Sequence, residues 1–358
     1  MAKNLSHFEQ DDIKAALAGL SHKSVFLGFD AFIDFAASPI RQGNAVRPAA
    51  LFETIGEWGA YMQEHDGENC SIELLDGKPR IGGNMAITAN AISSFGIKTY
   101  CVGTFGYPGV HPVFSDMAPS CDLISVGSPG EAIALEFKNG KVILGMNRDV
   151  SLLDWETIKA RAGLSRILQC AGMSELLFLL NWSELPGSTG IFRGMREEVL
   201  PRLQGSKRLF IDFSDCSRRA DPEILEILRI IGEMPQNIRV TLSLNKNEER
   251  IICSVLGIDA ADPFTRGQRL VKELGLDSVF FHSREMNALV TREDCAALSP
   301  ELCTTPAINV GAGDNFNAGA AIAMLMELSP GDTLKFAAET AGYFVKNGKS
   351  YNFKEGTL

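Results

Sequence analysis

No apolar run in this chain approaches the roughly 20 residues that a membrane-spanning helix needs. The segment Met1-Ala-Lys-Asn-Leu-Ser-His-Phe-Glu-Gln10 also lacks the apolar centre of a secretory leader, so a cytoplasmic protein is expected. Positive charge is not in excess: 34 Lys and Arg stand against 44 Asp and Glu, a net charge of −10. That balance argues against the basic face a nucleic-acid or anionic-membrane surface requires. Cysteine is present without a pattern: Cys70, Cys101, Cys121, Cys170, Cys216, Cys253, Cys295 and Cys303 form no Cys-x-x-Cys, and the five histidines are as scattered. Neither a disulfide scaffold nor a zinc site is expected, and buried thiols in a reducing compartment are the simpler account. Internal repeats, low-complexity tracts and Pro/Ser-rich linkers are missing too. What remains is a 358-residue chain, 45% hydrophobic and 22% charged, long enough to bury a large core.

Short β-branched or aromatic runs alternate with amphipathic stretches. Strands are expected at residues 24–28, 99–103, 176–180, 209–212, 240–244 and 279–282, and helices at 85–95, 190–203, 222–232, 247–256 and 265–274. Such alternation predicts a mostly parallel sheet covered on both faces, with ligands beyond the carboxyl ends of its strands. Two regions break the rhythm, residues 31–47 and 132–146. In the second, two strand-like runs flank Lys138-Asn139-Gly140-Lys141, and Asn-Gly between such runs signals a hairpin. Both read as a small β-lid inserted on a single α/β domain spanning 1–358.

The most telling stretch is Asn309-Val310-Gly311-Ala312-Gly313-Asp314-Asn315-Phe316-Asn317-Ala318-Gly319-Ala320. An apolar, strand-like approach (Ala307, Ile308, Val310) ends in two glycines, and a small-residue helix follows at once. Glycines let the backbone approach a ligand, and a helix start offers unpaired N–H groups and a positive dipole end, which together make an anion site. Asp314 inside it is placed to take a proton from a hydroxyl attacking a held phosphoryl group. The same residues also suit a plain strand-to-helix turn with Asp314 as N-cap.

The run from Gly311 to Asp314 and from Phe316 to Gly319 resembles, at every position, the C-terminal signature of the ribokinase-like (PfkB) carbohydrate kinases. The resemblance implies a three-layer sandwich with a mostly parallel central sheet and a small β-lid. It implies transfer of the terminal phosphoryl group of a nucleotide, ATP with ADP as the alternative, to a carbohydrate hydroxyl. Asp314 would be the base, and Gly311, Ala312 and Gly313 would stabilise phosphate charge. Arg80-Ile81-Gly82-Gly83-Asn84, a second glycine turn into a helix, is similar to the family's N-terminal signature; Gly82, Gly83 and Asn84 then bind the sugar. Otherwise this is a tight turn capped by Asn84.

Gly28-Phe29-Asp30-Ala31-Phe32-Ile33-Asp34 follows the first strand, and carboxylates there can each accept two hydroxyl hydrogen bonds. Asp30 and Asp34 are therefore substrate-binding candidates, or else solvated loop aspartates. Their spacing resembles the ADP-dependent sugar kinases. Asn245-Lys246-Asn247-Glu248 fits the family's Asn-x-x-Glu pattern, which implies Mg²⁺ organised through water by Glu248 and Asn245, the latter also near the nucleotide. The alternative is a capping box. His282, in His282-Ser283-Arg284, and Asn317 complete the nucleotide-side candidates; a satisfied structural role is the default for His282.

Where ribokinases carry Asp-Thr-Thr before the glycine loop, this chain has Ile308-Asn309-Val310, so the segment tied to the family's monovalent-cation site is not matched and dependence on such a cation stays open. Phe29, Phe32 and Phe35 keep open a nucleoside acceptor sandwiched by an aromatic lid. A non-catalytic sugar- or nucleotide-sensing protein on the same fold is the reading from another class. An exposed hairpin edge makes a homodimer through the lid an expectation.

Overall fold

An apolar run with no polar interruption must bury both of its faces, and the strands at Ser24–Phe29 and Leu176–Leu180 do so along their whole length. In the first, Phe26 and Phe29 join one apolar cluster and Val25 and Leu27 the other; in the second, Leu177 and Leu179 face one way and Leu176, Phe178 and Leu180 the other. The computed structural model describes residues 16–351 apart from 18, 76, 118, 305 and 309. The Met1–Gln10 segment and the reading placed on Asn309 lie outside the described residues.

The strands are β1 (Ser24–Phe29), β2 (Phe32–Gly43), β3 (Pro48–Leu51), β4 (Leu74–Leu75), β5 (Pro79–Gly82), β6 (Lys98–Gly103), β7 (Cys121–Ser125), β8 (Gly130–Phe137), β9 (Gly140–Met146), β10 (Leu176–Leu180), β11 (Lys207–Asp212), β12 (Ile238–Asn245), β13 (Ser278–His282), β14 (Asn287–Thr291) and β15 (Cys295–Leu298). The α-helices are α1 (Ile55–Glu64), α2 (Asn84–Ser94), α3 (Trp155–Ala162), α4 (Leu164–Met173), α5 (Ser188–Gly194), α6 (Asp221–Gly232), α7 (Lys246–Val255), α8 (Pro263–Glu273), α9 (Ala312–Leu325) and α10 (Pro330–Asn347).

Nine strands form one sheet in the order β15-β14-β13-β12-β11-β10-β1-β6-β7. Pairing is parallel from β13 to β7, and β14 alone runs against the others, pairing antiparallel with both β13 and β15. Helices α3 to α8 cover one face, while α2, α9 and α10 cover the other. This is the expected α/β sandwich with a mostly parallel central sheet.

A second sheet, in the order β3-β2-β8-β9 with β4 and β5 also pairing β2, holds both irregular segments. The Lys138-Asn139 turn closes the β8–β9 hairpin, with Phe137 opposite Gly140. This sheet is larger than the two segments expected of it, because Pro79–Gly82 pairs antiparallel with Phe32–Phe35. The first glycine turn therefore springs directly from the lid.

Two expectations about local structure do not hold. The single helix expected over residues 190–203 is broken into α5, a π-helical turn at Met195–Val199 and a 3₁₀ turn at Leu200–Arg202. Pro201 has no N–H to continue the ladder, and its ring crowds the preceding turn. The approach to Gly311 is not a strand among the described residues. The N–H groups of Ala307 and Ile308 donate instead to the Val345 carbonyl near the end of α10, and that bond takes the place of a sheet partner.

Candidate active site

A parallel sheet delivers the residues that follow its strands to one edge. Here the strand order sets His282, Asn245, Asp212, Asn181 and Asp30 side by side, at the carboxyl ends of β13, β12, β11, β10 and β1. Two glycine-capped helices meet this row. Gly83 caps α2 with φ +87°, Gly311 caps α9 with φ +91°, and neither helix start has a side-chain cap. Asp314 is therefore the third residue of α9, not its N-cap. The Asn84 side chain at the start of α2 acts on its carboxyl in favour of the charged form, and the Thr88 hydroxyl of α2 donates to the Asp314 carbonyl at 3.5 Å, so the two glycine-capped helices meet beside Asp314.

Asp30 is fully buried. Its carboxylate accepts the Met85 N–H at 3.0 Å and the Asn181 Nδ2–H at 2.9 Å. Burial pushes its pKa up to about 6 against the pull of those donors. Asp34 is also pushed up to about 6 by burial, with Lys141 opposing. It lines a cleft of about 420 Å³ between the lid and the Gly311 turn, together with Arg80, Asp116, Glu136 and Val310. The two candidate sugar ligands thus differ: Asp34 faces the cleft, and Asp30 lies beneath Gly83.

On the other side, Asn245 caps α7 by accepting the N–H groups of Asn247 and Glu248, and Glu248 reaches back to the Asn245 N–H at 2.8 Å. The capping box is real, and it accounts for the hydrogen bonds of both residues. Glu248 is buried, and its proton affinity is raised well above a carboxylate's by burial, then by the charges of Asp212, Asp215 and Asp314. Asp314 is raised likewise, by burial and then by Asp212, Asp30 and Asp34. Among the described residues no group of three or more metal-ligating side chains gathers within direct reach of one ion. A hydrated magnesium ion still fits, because mutually repelling carboxylates favour a cation that reaches them through water.

His282 stacks on Phe316 with ring centroids 5.2 Å apart and lies beside Gly313. Its Nε2 is buried without a partner, so it is not the satisfied histidine taken as default, and burial lowers its pKa. Asn317 is completely buried, donates to Asp212 Oδ2 at 2.6 Å and accepts from Ser243 Oγ at 2.7 Å. Phe29 and Phe32 lie in the core, Phe29 against Trp155 and Phe32 against Val150 and Leu185, which removes them from any base-stacking wall.

Sequence reasoning missed Asn181 and Asp212. The available signal was a single polar residue closing an apolar strand: Asn181 after Leu176–Leu180, and Asp212 ending β11. Asn181 also holds φ +58°, and its N–H donates to the Asp212 carbonyl.

The profile of the prokaryotic ketohexokinase family matches residues 10–356. A ketohexokinase of Haloferax volcanii is 27% identical over 334 residues, covering 92% of this chain and 89% of that protein. Among solved structures, Escherichia coli phosphofructokinase-2 in complex with substrates and products is similar with TM-score 0.62 at 14% identity, covering 91% and 94% of the two chains. Arabidopsis thaliana ribokinase complexed with ribose and ATP gives 0.58 at 18% identity, covering 92% and 94%. At those identities the structures speak for the fold, and it is that of ribokinase.

Proposed function

The chain belongs to the prokaryotic ketohexokinase family and is a carbohydrate kinase; from that premise we propose that it moves the terminal phosphoryl group of ATP to a hydroxyl of a ketohexose, with Asp314 as general base. The observation that carries this reading is the meeting of Asp314 and Asn84 at the starts of two glycine-capped helices. A carboxyl with raised proton affinity is a stronger base once ionised. The N–H groups at Gly311–Asp314 face the anion whose charge grows during transfer.

Asp34 and the Gly82–Asn84 turn hold the sugar, with Asp30 supporting the turn from below. The cleft sets Asp34, Asp116 and Glu136 against Arg80 and Lys349. That balance suits a neutral polyol better than a sugar phosphate, as does the ketohexokinase relative. The nucleotide lies on the Asn245 and His282 side, and the ribokinase that holds ribose and ATP supports ATP as donor. Asn317 serves that side from within the fold. Glu248 and Asn245 hold hydrated magnesium, which when bound neutralises phosphate charge. Closure of the lid excludes water and limits nucleotide hydrolysis.

No described helix is long and apolar enough to cross a membrane, and the cytoplasm is the proposed compartment. A second copy pairs along the free β9 edge, where Ile143, Leu144 and Met146 are exposed; sedimentation showing a monomer at micromolar concentration would count against that pairing.

The central test is Asp314→Asn, assayed with ketohexoses, aldoses and nucleosides, each with ATP and with ADP. Turnover should fall by about two to four orders of magnitude with both KM values within a few-fold. Retained turnover removes Asp314 from the chemistry.

A further inference from the structure

Asp314 and Asn317 are neighbours on α9, three residues apart and on adjoining turns of one face. Asn317 has no exposed surface, and its amide is engaged at both ends. Nδ2 donates to Asp212 Oδ2 at 2.6 Å, and Oδ1 accepts from Ser243 Oγ at 2.7 Å. Asp212 is fixed in turn, since its Oδ1 accepts the Ser214 N–H at 2.8 Å. These anchors stand at the ends of β11 and β12, the strands that lead to Asp212 and Asn245. An amide satisfied on both sides in a dry interior holds one orientation, because turning it would strand a donor and an acceptor.

We propose that Asn317 is a positioning residue: through Asp212 and Ser243 it fastens the first turns of α9 to the carboxyl ends of β11 and β12, and so sets Asp314 against the reacting hydroxyl. The inference rests on the reading of Asp314 as base. A base must stand within about 3 Å of the proton it takes, and a displacement of about 1 Å costs about a hundredfold in rate. The helix start has no side-chain cap, and the hydrogen bonds of its first turn run to α2 and to Gly311, from the Thr88 hydroxyl to the Asp314 carbonyl and from the Asn315 amide to the Gly311 carbonyl, whereas those of Asn317 run to the strands. Asn317 has no exposed surface from which to meet a nucleotide directly.

The test compares Asn317→Leu, Ser243→Ala, Asn317→Asp and the exchange Asp212→Asn with Asn317→Asp, assayed with ATP and a ketohexose beside Asp314→Asn. Asn317→Leu should lower kcat by about 10- to 100-fold with both KM values within about threefold. Ser243→Ala removes one anchor and should show a smaller loss in the same parameter; it serves if Asn317→Leu does not fold. Asn317→Asp sets two carboxylates face to face and should be as impaired. The exchange restores donor and acceptor on both sides and should recover at least tenfold over Asn317→Asp. Unchanged kcat in Asn317→Leu and Ser243→Ala, an exchange no better than the single variant, or a loss confined to the KM for ATP would each overturn the proposal. Full activity in Asp314→Asn would instead overturn the underlying reading of the base.

Discussion

The two glycine turns share a positive φ at the residue before the helix, part in ψ (137° at Gly83, 0° at Gly311), and differ in what fills the space their glycines leave. At the first, a Cβ on Gly83 would lie 2.6 Å from Asp30 Oδ2, and one on Gly82 would land on the Asp34 carboxyl. At the second, a Cβ on Gly311 would crowd the Phe344 ring at 3.0 Å, while one on Gly313 would make an ordinary 3.5 Å contact with His282. The first turn is occupied by acids of its own chain, which face neutral donors and one lysine. The second turn keeps its N–H end open, with carboxylates standing off at Asp212, Glu248 and Asp314. Similar Gly-rich helix starts thus have different surroundings, and under the proposed function the first receives hydroxyl groups and the second an anion accompanied by a cation.

Adding a methyl group to each turn separates the two most sharply. Gly83→Ala should destabilise the fold by about 2–4 kcal/mol, from left-handed strain and overlap with Asp30, and lower the melting temperature accordingly. Gly313→Ala lies within α9 with room for its Cβ, so it should melt within about 1 kcal/mol of the parent. Its KM for ATP should nevertheless rise by about tenfold, equivalent to roughly 1.4 kcal/mol of phosphate contact. Equal losses of stability at both positions would erase the distinction drawn here.

A smaller effect sharpens the acidic side of the comparison. The folded protein binds a proton at Asp34 more tightly than the unfolded chain, since burial moves the group from 3.8 to about 6. Its contribution to stability is therefore complete below about pH 4 and lost as pH rises through 6. Asp34→Asn should raise the melting temperature at pH 8, by an amount that corresponds to at most roughly 3 kcal/mol, and this gain should vanish near pH 4. The same variant should bind ketohexose more weakly, because Asn replaces two acceptors with one. A gain that persists unchanged at pH 4 would mean that Asp34 is not paying a desolvation cost.

Much of this was legible along the chain. The strand-like runs at 24–28, 176–180 and 279–282 are strands because each has enough apolar surface to bury on both faces, a local property. Gly311–Gly319 announced a helix start, and Asn139-Gly140 a hairpin. The break at Pro201 was legible in principle, since a missing N–H is a local fact, and it was overlooked within an otherwise periodic run. The approach at Ala307 and Ile308 was not, because its partner, the Val345 carbonyl, is 38 residues and 37 residues away along the chain.

The sequence by itself determined the element types, the two positive-φ helix starts and the identity of the carboxylates available for chemistry, because these follow from side-chain volume, backbone freedom and charge within a few residues. Only the tertiary structure decided that Asp30 lies beneath Gly83 while Asp34 faces the cleft, that Asn181 serves Asp30 across 151 positions, and that Asn317 points inward to Asp212 across 105. Strand order makes those neighbours: β1 lies beside β10, and β10 beside β11. That order is fixed by how helices pack on the two faces of the sheet, which no short stretch of sequence encodes.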